Sequence, residues 1–480
     1  MQIKIQSSGR TRHSAWFLFF FVLLQLQLQA QDSRPNIVII VADDMGWGDV
    51  GFHGSEIRTP HIDQLAREGV ILNRYYVSPI CSPTRAGIMT GRLPERYGLR
   101  ENVIAPWLNF GVDTTAEFLP QMLAQAGYKN RAAIGKWHLG HSKRKYLPLR
   151  RGFTHFYGHY NGAIDYFTHK REGELDWHND WETARDTGYT TDLITREAVK
   201  CISDYKGEGP FFLYIAYNAP HGPLQAKEGD LLKYGFDPSQ PVFGKEQTGN
   251  EGAMGRGNTR RQTYAAMVAA LDEGIGHILK ALRAAGIDEN TLVLFQSDNG
   301  AAQKEGGRNQ PLRGFKFQEW EGGVRVPAVI RWPAGFKGGW TCEQVAGYID
   351  IAPTLREIAG IKTAPPQPYD GRSIVQSLTE KKNTGRELYL GNGTLIKDEW
   401  KLVIPKTGNK TTPAADAPQL FAIDKDPYEK EDLSARYPEQ VKALLELSKK
   451  YRTIVPAEKV PPYEQGRKTF KAPSDWNIRE

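Results

Sequence analysis

Three short apolar runs constrain this chain more than anything else in it: Asn36-Ile-Val-Ile-Ile-Val-Ala42, Phe211-Phe-Leu-Tyr-Ile-Ala-Tyr217 and Thr291-Leu-Val-Leu-Phe-Gln296. Each is apolar at successive positions rather than alternate ones, so each needs cover on both faces. That pattern belongs to central strands of a parallel sheet lined by helices on either side. Between the runs lie helical patterns. Gln262 to Ala285 carries Met267, Leu271, Ile275, Ile278 and Leu282 at helical spacing with Gly286 as its stop, and Tyr189 to Tyr205 and Ile349 to Ala359 are further helices. Weaker strands are expected at Val70 to Tyr76, Asn130 to Ile134 and Val326 to Arg331. The alternation predicts an α/β fold. With 48 glycines and 29 prolines in 480 residues, collagenous and low-complexity readings are excluded.

The ends of the chain read differently. A basic stretch to His13, the apolar core Ala15 to Leu24 and a small-residue exit at Ala30 form the pattern of a secretory signal peptide over residues 1–30, with an apolar core too short to span a bilayer. The mature protein is therefore expected to be secreted or periplasmic, with no membrane span. Composition shifts at Thr363-Ala-Pro-Pro-Gln-Pro-Tyr369, so a catalytic unit over 31–362 and a smaller α+β unit over 363–480 are expected. In the latter, Glu387 to Leu390 and Trp400 to Ile404 flank Gly391-Asn392-Gly393 as a hairpin, followed by a helix from Glu439 to Tyr451. The formal charge is +7, and Lys4, Arg10 and Arg12 of the leader contribute to it; this is too little for nucleic-acid binding by bulk charge. Cys81, Cys201 and Cys342 make no disulfide framework, and an odd thiol in an exported chain needs a reason.

Each strong strand runs directly into polar residues: Asp43-Asp44, Asn218-Ala-Pro-His221, and Ser297-Asp298-Asn299-Gly300. Open α/β sheets carry their sites outside the carboxyl ends of the strands, so these clusters are expected to converge. Asp43, Asp44, Asp298 and Asn299 are short oxygen ligands, suited to a hard cation, Ca²⁺ by preference or Mg²⁺, and no Cys/His set has zinc spacing.

Cys81-Ser-Pro-Thr-Arg85-Ala-Gly-Ile-Met-Thr-Gly-Arg92 resembles the signature of the sulfatases, in which the cysteine is oxidised to Cα-formylglycine (3-oxoalanine) by a formylglycine-generating enzyme. Thr84 stands where Ser or Ala is usual. The resemblance runs in order from Pro35 to about Leu433. It takes in Pro35 to Asp44, Gly135-Lys136-Trp-His138-Leu-Gly140, Asn218 to Pro223, Ser297 to Gly300, Leu312 to Lys316, Glu321 to Pro327, and Leu420 to Pro427 with Glu429 and Leu433. It implies an alkaline-phosphatase-like fold: a large mixed, mostly parallel sheet sandwiched by helices, with a smaller C-terminal domain. It also implies a metal site of Asp43, Asp44, Asp298 and Asn299 with an oxygen of residue 81. The catalytic set it implies is Cys81, Arg85, Lys136, His138, His221 and Lys316.

Those roles suit a sulfate monoester. Its nonbridging oxygens need neutralising by the cation with Arg85, Lys136 and Lys316. An aldehyde hydrate at position 81 would attack sulfur and later expel sulfate, which a thiol could not do. His221 with Lys316 is assigned to protonating the leaving sugar oxygen, and His138 to the release step. A narrower resemblance, Lys136 through His169 and Trp320 to Arg325, is to the arylsulfatase B or N-acetylgalactosamine-4-sulfatase-like branch. Asp165, Tyr166, His169 and Trp320 are the candidate saccharide-binding residues. Two other readings compete with a sulfatase acting on sulfated saccharides: a phosphodiesterase or phosphonate monoester hydrolase on the same fold, and an inactive relative that only binds sulfated glycans.

Overall fold

In the computed structural model, which describes residues 1–2, 34–100, 102–244, 252, 254–404 and 417–478, strand Asn36–Ala42 lies near the centre of a ten-stranded sheet. Apart from its first two residues, the expected leader lies outside the described residues. Across the sheet the strands run Trp340–Cys342, Val70–Leu72, Ala328–Arg331, Thr291–Ser297, Asn36–Ala42, Phe211–Ala216, Asn130–Lys136, His155–His159, His178–Asn179 and Glu182–Thr183. The five from Thr291–Ser297 to His155–His159 are mutually parallel, with Ile39 paired to Leu294 on one side and Tyr214 on the other. Antiparallel pairs flank this block, Ala328–Arg331 against Thr291–Ser297 and His178–Asn179 against His155–His159.

The unbroken apolar runs are explained by two cores, one on each face. Ile37, Ile39 and Val41 point into a core with Ala86, Ile88 and Met89 of helix Cys81–Thr90 and with Ala352 and Leu355 of helix Ile351–Ile358. Val38, Ile40 and Ala42 point the other way, against Leu193, Ile194 and Ala198 of Thr190–Tyr205 and Met267, Leu271, Ile275 and Ile278 of Arg260–Ala284. Each such aliphatic side chain removed from water contributes roughly 1.5–3 kcal/mol, which is why no position in these strands can be polar until the strand ends.

A four-stranded antiparallel sheet, Glu387–Gly391, Thr394–Lys397, Trp400–Val403 and Gln419–Ala422, packs with helix Pro438–Arg452 against the first core, into which Leu388, Leu395, Leu402, Leu420 and Leu444 point. This corrects the expected hairpin. Glu387–Gly391 pairs with Thr394–Lys397, and Trp400–Val403 pairs with that strand's other edge. Asn392 and Gly393, both at positive φ, make the first tight turn, and a second follows at Asp398, also at positive φ. Val70 to Tyr76 is likewise two strands, since Tyr75–Tyr76 leaves the main sheet to pair with Ala346–Gly347.

Candidate active site

The loops that leave the parallel strands converge at the carboxyl end of the sheet, and helix Cys81–Thr90 supplies the remaining part. Every residue of that helix is buried, and Cys81 stands in its first turn. Thr84 fixes this start: its hydroxyl receives the Ser78 N–H at 3.0 Å and lies 3.2 and 3.3 Å from the carbonyls of Ser78 and Ile80. Gly87 lets the helix lie on Tyr348, whose ring would stand 2.2 Å from any Cβ there. Thr84, a departure from the usual residue, thus has a local structural use.

Around Cys81 the charges are buried and interlocked. Lys136, the last residue of its strand and only 1% exposed, donates to Asp43 Oδ2 at 2.6 Å. Arg85 grips Asp298 Oδ2 through Nε at 3.0 Å and Nη2 at 2.8 Å, and Nη2 lies 3.8 Å from Asp43 Oδ1. Lys316 Nζ donates to both oxygens of Asp44, at 2.7 and 2.8 Å. The Asp44 N–H donates to Asp298 Oδ1 at 3.2 Å, and Asn299 Nδ2 to Asp44 Oδ1 at 2.6 Å. Three buried carboxylates thus face three buried basic side chains.

The carboxylates respond in opposite directions. Burial, reinforced by the Asp298 charge, pushes Asp43 up to about 8 against the pull of Lys136 and Arg85. Burial would raise Asp44 too, but Lys316 and then His221 outweigh it and hold that carboxyl well below the usual range. Burial also pushes the Cys81 thiol up, so the unmodified side chain is no activated thiolate.

Part of the expected ligand set gathers into a group that could hold a metal ion, and Asp298 is not in that group. Single donor atoms of Asp43, Asp44, Cys81 and His221 lie within 4.8 Å of one another. Asp43 Oδ1 and Asn299 Oδ1 are buried without any hydrogen-bond partner, which is costly for an oxygen unless something else satisfies it.

The two histidines differ. His138, at φ 58°, packs its ring over Gly162, where a Cβ would meet it at 2.5 Å. Its Nδ1 is buried without a partner, and burial, with Lys136 and Arg85 nearby, holds the ring neutral. His221 is about a quarter exposed, with Nε2 3.7 Å from Asp44 Oδ2. Its Nδ1 lies 2.6 Å from the Gly222 carbonyl and so carries the proton. Burial, ahead of the nearby lysines, lowers His221 to about 3.

A cleft of about 510 Å³ opens over these groups, lined by Cys81, His138, His221 and Lys316 and, farther out, by Asn102 to Pro106, Arg171, Phe317 and Tyr463. The four expected saccharide residues do not line it. Asp165 spends its carboxylate on the N–H groups of Phe167, Thr168 and Gly252 and on Gln225, shaping a turn. Tyr166, 1% exposed, donates its hydroxyl to the Asn218 and His221 carbonyls and so buttresses the His221 loop. His169 is bonded to the Gly188 carbonyl and Trp320 packs with Phe421 and Arg313. Arg171, Phe317 and Tyr463, which do line the cleft, come from three distant segments with no shared pattern, and only the apolar, exposed character of Phe317 and Tyr463 could have drawn notice.

Residues 35–361 match the family model described as Sulfatase. Arylsulfatase J of Mus musculus is 33% identical over 489 aligned positions, covering 90% of this chain and 78% of that protein. N-acetylgalactosamine-6-sulfatase of Homo sapiens is 32% identical, covering 75% and 69%. The crystal structure of Ps i-CgsB in complex with k-i-k-neocarrahexaose superimposes with a TM-score of 0.78 at 32% identity, covering 90% of this chain and 96% of that one. The chain therefore belongs to the sulfatase family and is a sulfuric ester hydrolase.

Proposed function

We propose that the enzyme removes sulfate from a sulfated saccharide with position 81 in its formylglycine form and a divalent cation, Ca²⁺ by preference, held by Asp43, Asp44, Asp298 and Asn299. The observation that carries this reading is the meeting of Cys81 with three buried carboxylates and three buried cations at the floor of one cleft. A bound cation would supply positive charge against the sulfuryl oxygens. The chemistry of a formylglycine hydrate is two geminal hydroxyls, one to attack sulfur and one whose proton loss lets sulfate go. Arg85 orients the carboxylates, while Lys136 and Lys316 hold charge beside the ester. Neutral His138, with a buried nitrogen lacking a partner, suits proton removal in the release step. His221 and Lys316 are assigned together to the departing sugar oxygen: Nε2 of neutral His221 carries no proton at rest, so His221 serves as a relay for one that Lys316 supplies. Lys316 carries it at rest, since burial is outweighed by Asp44 and the ammonium is held protonated. The solved structure of Ps i-CgsB with k-i-k-neocarrahexaose bound supports a saccharide as the substrate class.

The accompanying proposals are a secretory leader over 1–30, maturation by a formylglycine-generating enzyme, a secreted or periplasmic location, and a division into units at 31–362 and 363–480. No helix among the described residues is long and apolar enough to cross a membrane. Phosphonate monoester hydrolase of Agrobacterium radiobacter, 20% identical with a TM-score of 0.57, shares the fold alone. Matured enzyme is assayed against paired sulfate and phosphate esters and a panel of sulfated oligosaccharides. Release of sulfate from the panel supports the reading, and preference for phosphate esters refutes it. His221→Ala should lose about 10²-fold more activity on a glycan sulfate than on a nitrophenyl sulfate, whose leaving group needs no proton. Equal losses would leave Lys316 as the sole donor.

A further inference from the structure

The cleft extends past the groups around Cys81 to Arg171, Phe317 and Tyr463. Its volume of about 510 Å³ falls within the range of sites that enclose drug-sized ligands. Among the described residues no carboxylate lines it, while Arg171 and Lys316 do. Lys316 is committed to Asp44, but Arg171 is not committed to anything comparable. Its Nη2 lies 3.4 Å from Glu172, and its Nε is buried with no hydrogen-bond partner. Arg171 is thus a cleft-lining guanidinium whose ion pair to Glu172 is long, at 3.4 Å, and such a group can take up an anion.

The backbone that carries Arg171 is fixed from a distance. Arg171 lies in the hairpin of Lys170–Arg171 and Glu174–Leu175, and its carbonyl accepts the Trp476 Nε1–H at 2.9 Å. Trp476 is 1% exposed, and the neighbouring Asp475 N–H donates to Glu174 Oε2 at 3.0 Å. The same C-terminal segment brings Tyr463, 37% exposed, to the cleft, where it stands edge-on to Trp107 at 5.1 Å. Phe317, 52% exposed, adds a second aromatic ring and is held at φ 75°, a conformation that costs a bulky residue energy. An exposed aromatic held in a strained backbone next to a catalytic lysine is hard to explain by packing.

We propose that Arg171, flanked by Phe317 and Tyr463, forms a subsite for a second sugar unit bearing an anionic substituent, so that the substrate is a polyanionic oligosaccharide rather than a singly sulfated one. This rests on the sulfated-saccharide reading above. Sulfate and carboxylate share the chemistry Arg171 would read, and the experiment separates them.

Matured wild type, Arg171→Gln and Arg171→Lys are compared on three oligosaccharides that share the scissile ester and whose neighbouring sugar is sulfated, a uronate or neutral. Wild type should prefer one or both anionic neighbours by about 10-fold or more in kcat/KM, mainly through KM. Arg171→Gln should erase that preference, and Arg171→Lys should restore part of it, which a merely structural role would not give. Wild type with no preference, or Arg171→Gln with equal losses on all three, overturns the subsite while the saccharide reading stands. Wild type that releases sulfate from nitrophenyl sulfate but from none of the three overturns both.

Discussion

Two clusters of buried charge sit in this molecule, and they are built on opposite terms. At the active site, Asp43, Asp44 and Asp298 face Lys136, Arg85 and Lys316, yet Asp43 Oδ1 and Asn299 Oδ1 are left without a hydrogen bond and the group opens on a cleft. Where the small sheet meets the large one, Lys401 Nζ lies 2.8 Å from both Glu321 Oε1 and Glu429 Oε1. Glu321 Oε2 receives Tyr76 and Arg325 at 3.1 and 3.3 Å, and the Glu321 N–H donates to Glu429 Oε2 at 2.8 Å. None of these last residues lines the cleft. Glu429 Oε1 makes no hydrogen bond but has the Lys401 charge at 2.8 Å, whereas Asp43 Oδ1 has Arg85 only at 3.8 Å and Asn299 Oδ1 is without a hydrogen bond. The Lys401 cluster holds two elements in register, and the active-site cluster leaves oxygens for a ligand to fill.

The comparison breaks most sharply at Cys81. Cys81→Ala should cut turnover by roughly 10⁴-fold or more, the scale on which hydrolases lose a nucleophile. The thermal midpoint should stay within a few degrees of wild type, because the thiol fills little volume. Peptide mass spectrometry of active enzyme should find formylglycine at position 81, and full activity with an unmodified cysteine would refute its role. Lys401→Met is the mirror image. It leaves Glu321 and Glu429 buried without their shared cation and should lower stability by about 3–5 kcal/mol in denaturant titrations. The kcat of the fraction that folds should hold, and a stable variant with lost turnover would show that the two clusters are not separable in this way.

The active-site cluster was visible in the sequence for physical reasons that extend neither to the Lys401 cluster nor to the cleft. Strands covered on two faces cannot alternate, so their polar ends stand out, and Asp43, Asn218 and Asp298 could be placed together before any geometry was known. Glu429 stood in the sequence only as part of a motif, and its partner Lys401 lies on a strand 28 residues away, so the pairing had no local signal. The saccharide residues failed as a guide because acids and aromatics also build loops: Asp165 is consumed by local N–H groups, as Asp in turns commonly is. The second-sheet hairpin was misregistered because its second turn is made by Asp398, a non-glycine residue at positive φ, so only Gly391-Asn392-Gly393 signalled a turn and Thr394–Lys397 was passed over. Arg171, Phe317 and Tyr463 meet only through tertiary structure, which no local period encodes.

The open cluster makes a second, smaller prediction. If its spare oxygens hold a cation, Ca²⁺ at 100 times its dissociation constant should stabilise wild type by about 2.7 kcal/mol, and a chelator should reverse this. Asp43→Asn keeps an oxygen for Lys136 but removes a charge from the ligand set, so the Ca²⁺-dependent rise in thermal midpoint should fall by more than half. An unchanged rise would put the cation elsewhere. The closed cluster at Lys401 should give no such response.

A third group lies between these extremes and sets the smallest expected effect. On the outer part of the sheet, His155 Nδ1 lies 2.9 Å from Asp180 Oδ1 and its Nε2 3.0 Å from Glu197 Oε1, with Asp180 about 45% exposed. Burial pulls this imidazole down, but its contacts with Cys201 and Glu197 and the charge of Asp180 lift it to about 10, above the ordinary 6.5. The folded state therefore binds the proton more tightly than the unfolded chain. The stabilisation is complete below pH 6.5 and drains away as pH rises toward 10. Because solvent reaches Asp180, the effect should be on the order of 1 kcal/mol rather than the full value such a shift would imply in isolation. Denaturant titrations of wild type and His155→Gln at pH 6, 8 and 10 should show the variant less stable at pH 6, with the gap closing by pH 10. A gap that stays constant would make His155 a packing residue, and this cluster would then be neither closed nor open but uncharged.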